Sequence, residues 1–258
     1  KNIYDKKMNS IYKLTKDGFE LDLSFFDYYL FDRQPHFYNK KLISLFGKPR
    51  NKNEKITDKH HQVAGALQRA FTNIVFHLLK ITKQKGGKSN NIVIAGGAAM
   101  NCVFNGLLEN NNTYKNNFIP PWPDDLGVSI GAAYLENHNL GKKSKNECQV
   151  YLGPGYSDSD ILSLLKKFNL TFFKPDNISK YIAERISKGH LIGWFQDRME
   201  FTHRALGNRS ILADPRKIEM QLKVNSAVKY RETFRPFAPA VIEEHASKIF
   251  MIKKKIKV

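Results

Sequence analysis

The chain has 258 residues, 41% of them hydrophobic, which is enough for one large or two medium domains and too apolar for a disordered segment. Its net charge of +18 raises the question of nucleic acid, but the excess is mostly Lys spread along the chain, with no basic stripe interleaved with aromatics. Two cysteines, Cys102 and Cys148, exclude a disulfide framework or a thiolate metal site, and no apolar run approaches the about 20 residues of a membrane span. A reducing cytoplasmic setting without a nucleic-acid or membrane partner is therefore expected. The start, KNIYDKKMNS, lacks an initiator Met and the apolar core expected of a signal peptide.

Residues 1–56 are mixed, and the Phe- and Tyr-rich piece Gly18–Phe31 alternates weakly, predicting strands or a hairpin. Thr57 and Asp58 predict the cap of a helix running to about Lys83, with Val63, Leu67, Phe71, Ile74 and Leu78 as its buried stripe. His60, His61 and His77 fall on that helix. Adjacent residues point about 100° apart and His77 lies turns away, so no shared metal site is expected from them.

After GGKSNN, the apolar run Ile92–Ala95 predicts a short strand. It feeds Gly96-Gly97-Ala98-Ala99-Met100-Asn101 and a helix through Leu108. A strand, a glycine pair and a helix start can present backbone N–H groups to phosphate, and such glycines also let a helix pack closely on a sheet. The Pro-rich turn Pro120–Gly127 then opens another helix near Ser129. Asp124 and Asp125 at that junction suit either a hard cation or simple N-capping.

The polar run Gly141–Glu147 reads as a linker, giving expected domains at 1–142 and 143–258. Beyond it, helices are predicted at about Asp158–Phe168 and Ile178–Lys188, the second ended by Gly189, followed by a strand at His190–Phe195. Strand and helix pieces alternate to the end, which predicts an α/β fold class.

The segment Gly193–Pro239 is the most informative. Arg198, Arg204, Arg209, Arg216, Lys217, Lys223, Lys229, Arg231 and Arg235 sit among apolar residues and breakers rather than along a polar helix face. Guanidinium forks suit phosphate or carboxylate oxygens, so several converging from turns would form an anion pocket. The competing reading is a set of surface salt bridges to Glu200, Asp214, Glu219 and Glu232.

RALGNRSILADPR from Arg204 to Arg216 and FRPFAP from Phe234 to Pro239 resemble the C-terminal signature of the O-carbamoyltransferases of the NodU/CmcH type. Ala95–Cys102, and Asp125-Leu126-Gly127 with Gly131-Ala132-Ala133, are similar to two earlier elements of that family, so the resemblance covers about Asp17 to Phe250. It implies an incomplete ATPase domain of the actin/sugar-kinase/heat-shock type, followed by an incomplete YrdC-like α/β domain. The implied chemistry is ATP-dependent formation of a carbamoyl-adenylate from carbamoyl phosphate, then transfer of the carbamoyl group to a hydroxyl of a sugar or other small molecule. Carried over by residue, the resemblance implies that Arg204, Asn208 and Arg235 contact carbamoyl phosphate, supported by Arg198, Lys229 and Arg231. It further implies that Gly96, Gly97 and Asn101 hold the nucleotide, and that Asp125 ligates a divalent metal, expected to be iron. Other readings are a nucleotide- or anion-binding module without turnover, a decayed fragment, and a component of the tRNA threonylcarbamoyl-adenosine pathway.

This sequence departs from the family's pattern at two places. Asp197 stands where a Gly is usual, and its carboxylate would partly neutralise Arg198; Thr202-His203 replaces a Gly-Pro pair, altering the turn that aims Arg204. His203 has no partner evident in the sequence. The family's metal-site histidines have no counterpart here and the chain ends in the lysine-rich Met251–Val258. It is therefore expected to be inactive alone, with a separately encoded N-terminal half as an expected partner.

Overall fold

A computed structural model describes residues 2–27, 37–86, 88–142 and 149–251. The chain divides into two compact units, Lys1–Ile94 with Asn101–Phe118, and Ala95–Met100 with Ile119–Val258. Helices and three two-stranded sheets among the described residues make the architecture mixed α/β. None of the described helices is long and apolar enough to cross a membrane.

In the first unit, helix α1 (Ile3–Asn9) is capped by Asn2, whose side chain accepts the Tyr4 N–H at 2.9 Å. Strands β1 (Tyr12–Thr15) and β2 (Gly18–Leu21) form an antiparallel hairpin with Tyr12 opposite Leu21 and Thr15 opposite Gly18. The expected strand region therefore holds to Leu21. Leu23–Phe25 is a 3-10 turn instead, and the stretch from 28 to 31 lies outside the described residues.

Helix α2 (Lys40–Phe46) precedes the long α3 (Asp58–Lys85). Of the stripe expected on α3, Val63, Phe71, Ile74 and Leu78 are partly buried and Leu67 is not, and the most deeply buried positions include ones not expected. Ala66 and Ala70 are sealed against Met8, Ile11 and Phe25, whereas Leu67 is 58% exposed. Methyl-sized side chains let α1 and the hairpin region come close to the helix axis, where Leu would hold them off. Another face of α3 carries Phe71 and Phe76, whose rings pack on the buried Phe104 of α4 (Cys102–Leu108). His77 Nε2 donates to the Thr15 carbonyl at 2.7 Å, and His60 Nδ1 accepts the Thr57 N–H at 2.9 Å, so both serve structure.

Strand β3 (Asn91–Val93) pairs in parallel with β4 (Asn116–Phe118), and the Ile94 N–H reaches the Phe118 carbonyl at 3.0 Å. β3 stops short of the predicted Ala95. Beyond Phe118 the neighbour turns into Pro120-Pro121, which has no N–H groups to continue a ladder.

The second unit contains a 3-10 turn at Gly97–Met100 and the helices α5 (Leu126–Asn139), α6 (Asp158–Lys167) and α7 (Ile178–Ser187). Ser157 and Asp160 form a reciprocal cap on α6, Asn177 caps α7, and Gly189 at φ +84° ends it. Strands β5 (Ile192–Phe195) and β6 (Arg209–Leu212) are antiparallel, with Ile192 opposite Leu212 and Phe195 opposite Arg209. Helices α8 (Glu219–Ala227) and α9 (Glu243–Ile249) follow. The boundary expected at 142/143 adjoins residues 143–148, which are outside the described residues. Buried side chains of this unit include Trp122, Met220 and Val224 together with the polar Glu200, Asn208, Asp214 and Asn225. Those polar residues organise the arginine-rich segment.

Candidate anion-binding site

The β5–β6 connection, residues 196–208, is shaped from within by Glu200. Its Oε1 accepts the N–H groups of Leu206 at 2.6 Å and Asn208 at 2.8 Å, while Oε2 accepts from Arg209 Nε at 3.0 Å. The side chain is fully buried. Burial pushes the Glu200 carboxyl up, but the Leu206 and Asn208 amides and the Arg209 guanidinium more than offset it and hold the group at about 2. Asn208 completes the frame: its Nδ2 donates to the Arg198 carbonyl at 2.7 Å and its Oδ1 accepts from Gln196 at 3.1 Å. Asn208 is buried, so the residue expected to touch carbamoyl phosphate is committed through both side-chain atoms to the loop itself.

Two left-handed residues set the loop's path, Asp197 at φ +48° and Gly207 at φ +115°. The first explains why glycine is natural there and why Asp, which tolerates this conformation better than most residues, can replace it. Arg198 does not face that carboxylate as expected. Its guanidinium donates to the carbonyls of Leu152 at 2.7 Å and Gly153 at 2.9 Å. Residues 150–154 run alongside 199–201, through Gly153 N–H to Met199 O and Met199 N–H to Pro154 O, each at 2.9 Å. A Cβ at Gly153 would stand 2.8 Å from that of Met199, which is why the position is glycine.

Thr202 closes the next turn. Its hydroxyl donates to the Arg204 carbonyl at 2.6 Å and accepts the Arg204 N–H at 2.9 Å. His203, expected to be without a partner, has one: Nε2 lies 2.7 Å from Oδ2 of Asp124. The sequence hid it because the contact joins a loop to a turn far away in the chain. Arg204 itself is exposed, and no described residue bonds its guanidinium.

The second arginine cluster is built on Asn225, which is completely buried on α8. Its Nδ2 donates to the carbonyls of Thr233 at 3.2 Å and Arg235 at 3.0 Å, and its Oδ1 accepts from Arg231 Nε at 2.7 Å. Arg231 also stacks over the Phe237 ring at 4.8 Å. Arg235 Nε donates to Glu232 at 2.7 Å, and both side chains are about half exposed. Lys229 is exposed, and Lys223 donates to the Gly189 carbonyl at the end of α7. Arg216 grips the buried Asp214 in a fork, Nε to Oδ1 at 2.8 Å and Nη2 to Oδ2 at 2.7 Å. That guanidinium and the Arg216 N–H hold the Asp214 carboxyl at about 2. The salt-bridge reading thus describes Arg209, Arg216 and Arg235, although the partners of the first two are buried rather than on the surface.

At the glycine turn, Gly96 has φ +97° and its N–H is taken by the Pro123 carbonyl at 2.5 Å. A Cβ on Gly97 would meet nothing. Asn101 caps α4, accepting the Phe104 N–H at 2.9 Å, and exchanges bonds with Gln68 at 3.0 and 3.2 Å. Asp125 stands exposed at the first turn of α5 and makes no side-chain capping bond. The carboxylate turned inward is that of Asp124, with Oδ1 buried and unpartnered. Among the described residues no three His, Cys, Asp or Glu converge, so these residues alone do not assemble the donor set of a resident metal.

Comparison with known proteins decides the family. Residues 2–134 match the model of the carbamoyltransferase N-terminus and residues 183–257 that of the carbamoyltransferase C-terminus. The chain belongs to the carbamoyltransferase family. It is 35% identical over 258 residues to an uncharacterized protein of Synechocystis sp., covering 95% of this chain and 41% of that one. It is 39% identical over 206 residues to nodulation protein NolO of Bradyrhizobium diazoefficiens, covering 78% of this chain and 37% of the relative. Nodulation protein U of Rhizobium fredii matches at 33% over 162 residues, 63% of this chain and 26% of the relative. The chain therefore spans less than half the length of these relatives. Both arginine clusters, at 198–216 and 229–235, fall in the stretch matched by the carbamoyltransferase C-terminal model.

Proposed function

We propose that this chain carries the carbamoyl-phosphate-handling part of an O-carbamoyltransferase, with Arg204 as its principal anion contact. The observation carrying this reading is the 196–208 loop. Glu200 absorbs the charge of Arg209 internally, while the neighbouring Arg204 guanidinium is bonded by no described residue. A fixed cation left open beside a rigid loop favours an incoming phosphate, and Arg stays charged at any working pH. Lys229 adds a second exposed charge, and Arg235 becomes available once a phosphate competes with exposed Glu232. Arg198, Asn208 and Arg231 act on this reading by shaping the two clusters.

The wider scheme is the family's: ATP as co-substrate near Gly96, Gly97 and Asn101, a carbamoyl-adenylate intermediate, and a small-molecule hydroxyl as acceptor. In it, residues 1–142 supply part of an actin-type ATPase fold and 143–258 part of a YrdC-like fold, with any metal completed by further protein. Calorimetric titration of the chain with carbamoyl phosphate tests the core of it. Binding that weakens about ten- to a hundredfold in Arg204→Ala is expected, the loss of a charged hydrogen bond. Binding indifferent to that substitution would remove Arg204 from the site.

A further inference from the structure

The contact between His203 and Asp124 has a consequence for the residue next to it. Asp124 sits on a turn fixed at several points. The Gly96 N–H donates to the Pro123 carbonyl at 2.5 Å, the Gly127 N–H donates to the Asp124 carbonyl at 2.9 Å, and Trp122 is buried beneath. The Asp124 side chain is 15% exposed and Oδ1 has no partner, so the ion-pair contact of Oδ2 with His203 Nε2 at 2.7 Å is its one side-chain tie among the described residues. On the other side, the loop carrying His203 is pinned from Leu206 onward by Glu200. Residues 203–205 lie outside that clamp, and Thr202 is tied to it by Arg209 Nη2, which donates to the Thr202 carbonyl at 3.3 Å. The turn is otherwise held by the Thr202 hydroxyl and by His203.

We propose that His203 and Asp124 form a latch fixing residues 202–204 against the turn ahead of α5, so that His203 is a positioning residue for the Arg204 guanidinium. This rests on the reading of Arg204 as an anion contact. The contact has the separation of an ion pair, formed when His203 is protonated. Where Gly-Pro would stiffen the turn through a ring, the Thr202 hydroxyl bonds and the His203–Asp124 ion pair do so here.

Two measurements on the whole chain test the latch: amide hydrogen exchange over residues 202–206, and calorimetric titration with inorganic phosphate. Compared at mildly acidic pH, His203→Ala should quicken exchange and weaken phosphate binding, each by up to about fivefold, as loss of one ion pair implies. His203→Lys, which keeps a cation at this position, should restore both. Asp124→Ala should match His203→Ala, and combining the two should add little further, because both remove the same ion pair. Exchange in His203→Ala that matches the unsubstituted chain would overturn the latch, as would a Lys variant no better than Ala, or losses that add in full. If the unsubstituted chain takes up no phosphate, the role of Arg204 fails, and the exchange arm still decides the latch by the same comparison of His203→Ala with His203→Lys.

Discussion

Asn225 and Glu200 spend every side-chain bond on the loops that carry the arginines. Asn225→Ala would leave the Thr233 and Arg235 carbonyls and Arg231 Nε without their partner. A loss of about 2 kcal/mol in chemical denaturation is expected, accompanied by weaker protection of the 233–235 amides from exchange. Glu200→Ala is harsher, since Arg209 and the Leu206 and Asn208 amides all lose a buried carboxylate; about 3 kcal/mol is expected from the same measurement. The pH dependence follows from the sign of the shift. The Glu200 carboxyl is held at about 2 against an ordinary 4.5, so its stabilising effect is fully present above pH 4.5 and is lost as pH falls toward 2. Denaturation midpoints measured down through that window should fall, and should fall less in Glu200→Gln. An equal slope for both proteins would show that the frame does not depend on this charge.

Individual elements were legible where the sequence marks them at both ends. The helices expected at about Asp158–Phe168 and Ile178–Lys188 are α6 and α7, the second ended at Gly189 as expected, and the apolar run before Gln196 forms β5. The face of α3 was legible only in part: periodicity marks the partly buried Val63, Phe71, Ile74 and Leu78 but also the exposed Leu67, whereas close approach of α1 selects Ala66 and Ala70. Ala66→Leu should therefore destabilise by about 1–3 kcal/mol despite added hydrophobicity, as read from thermal or denaturant unfolding. In the β5–β6 connection, residue types and a family pattern identified the arginines but not their partners. Antiparallel pairing places Phe195 opposite Arg209 and folds Glu200 back beneath Asn208, a register that local sequence does not encode. The left-handed backbone at Asp197 makes the loop tolerant in one direction only. Asp197→Gly should change stability by less than about 0.5 kcal/mol, whereas Asp197→Val should cost about 1–2 kcal/mol, measured by denaturation.

Across the whole molecule, apolar side chains face solvent in quantity. Helix α5 buries none of its residues, with Val128 69% and Leu135 62% exposed, and Phe168 and Phe173 stand 64% and 65% exposed around α6 and beyond. The 258-residue chain should therefore bind an apolar dye and self-associate as its concentration rises, which sedimentation would detect; monodisperse behaviour without dye uptake would show those residues covered in solution. Ala95–Met100 belongs with Ile119–Val258, while the residues flanking it belong to the other unit. The polypeptide thus passes from one unit to the other between 94 and 95, between 100 and 101, and between 118 and 119. A gene break or a single recombination at any codon must leave some product with portions of both, so neither unit can be inherited or transplanted whole and by itself by one genetic event. A piece ending at 142 would keep the clasp of Gly96 on Pro123 and part Asp124 from His203.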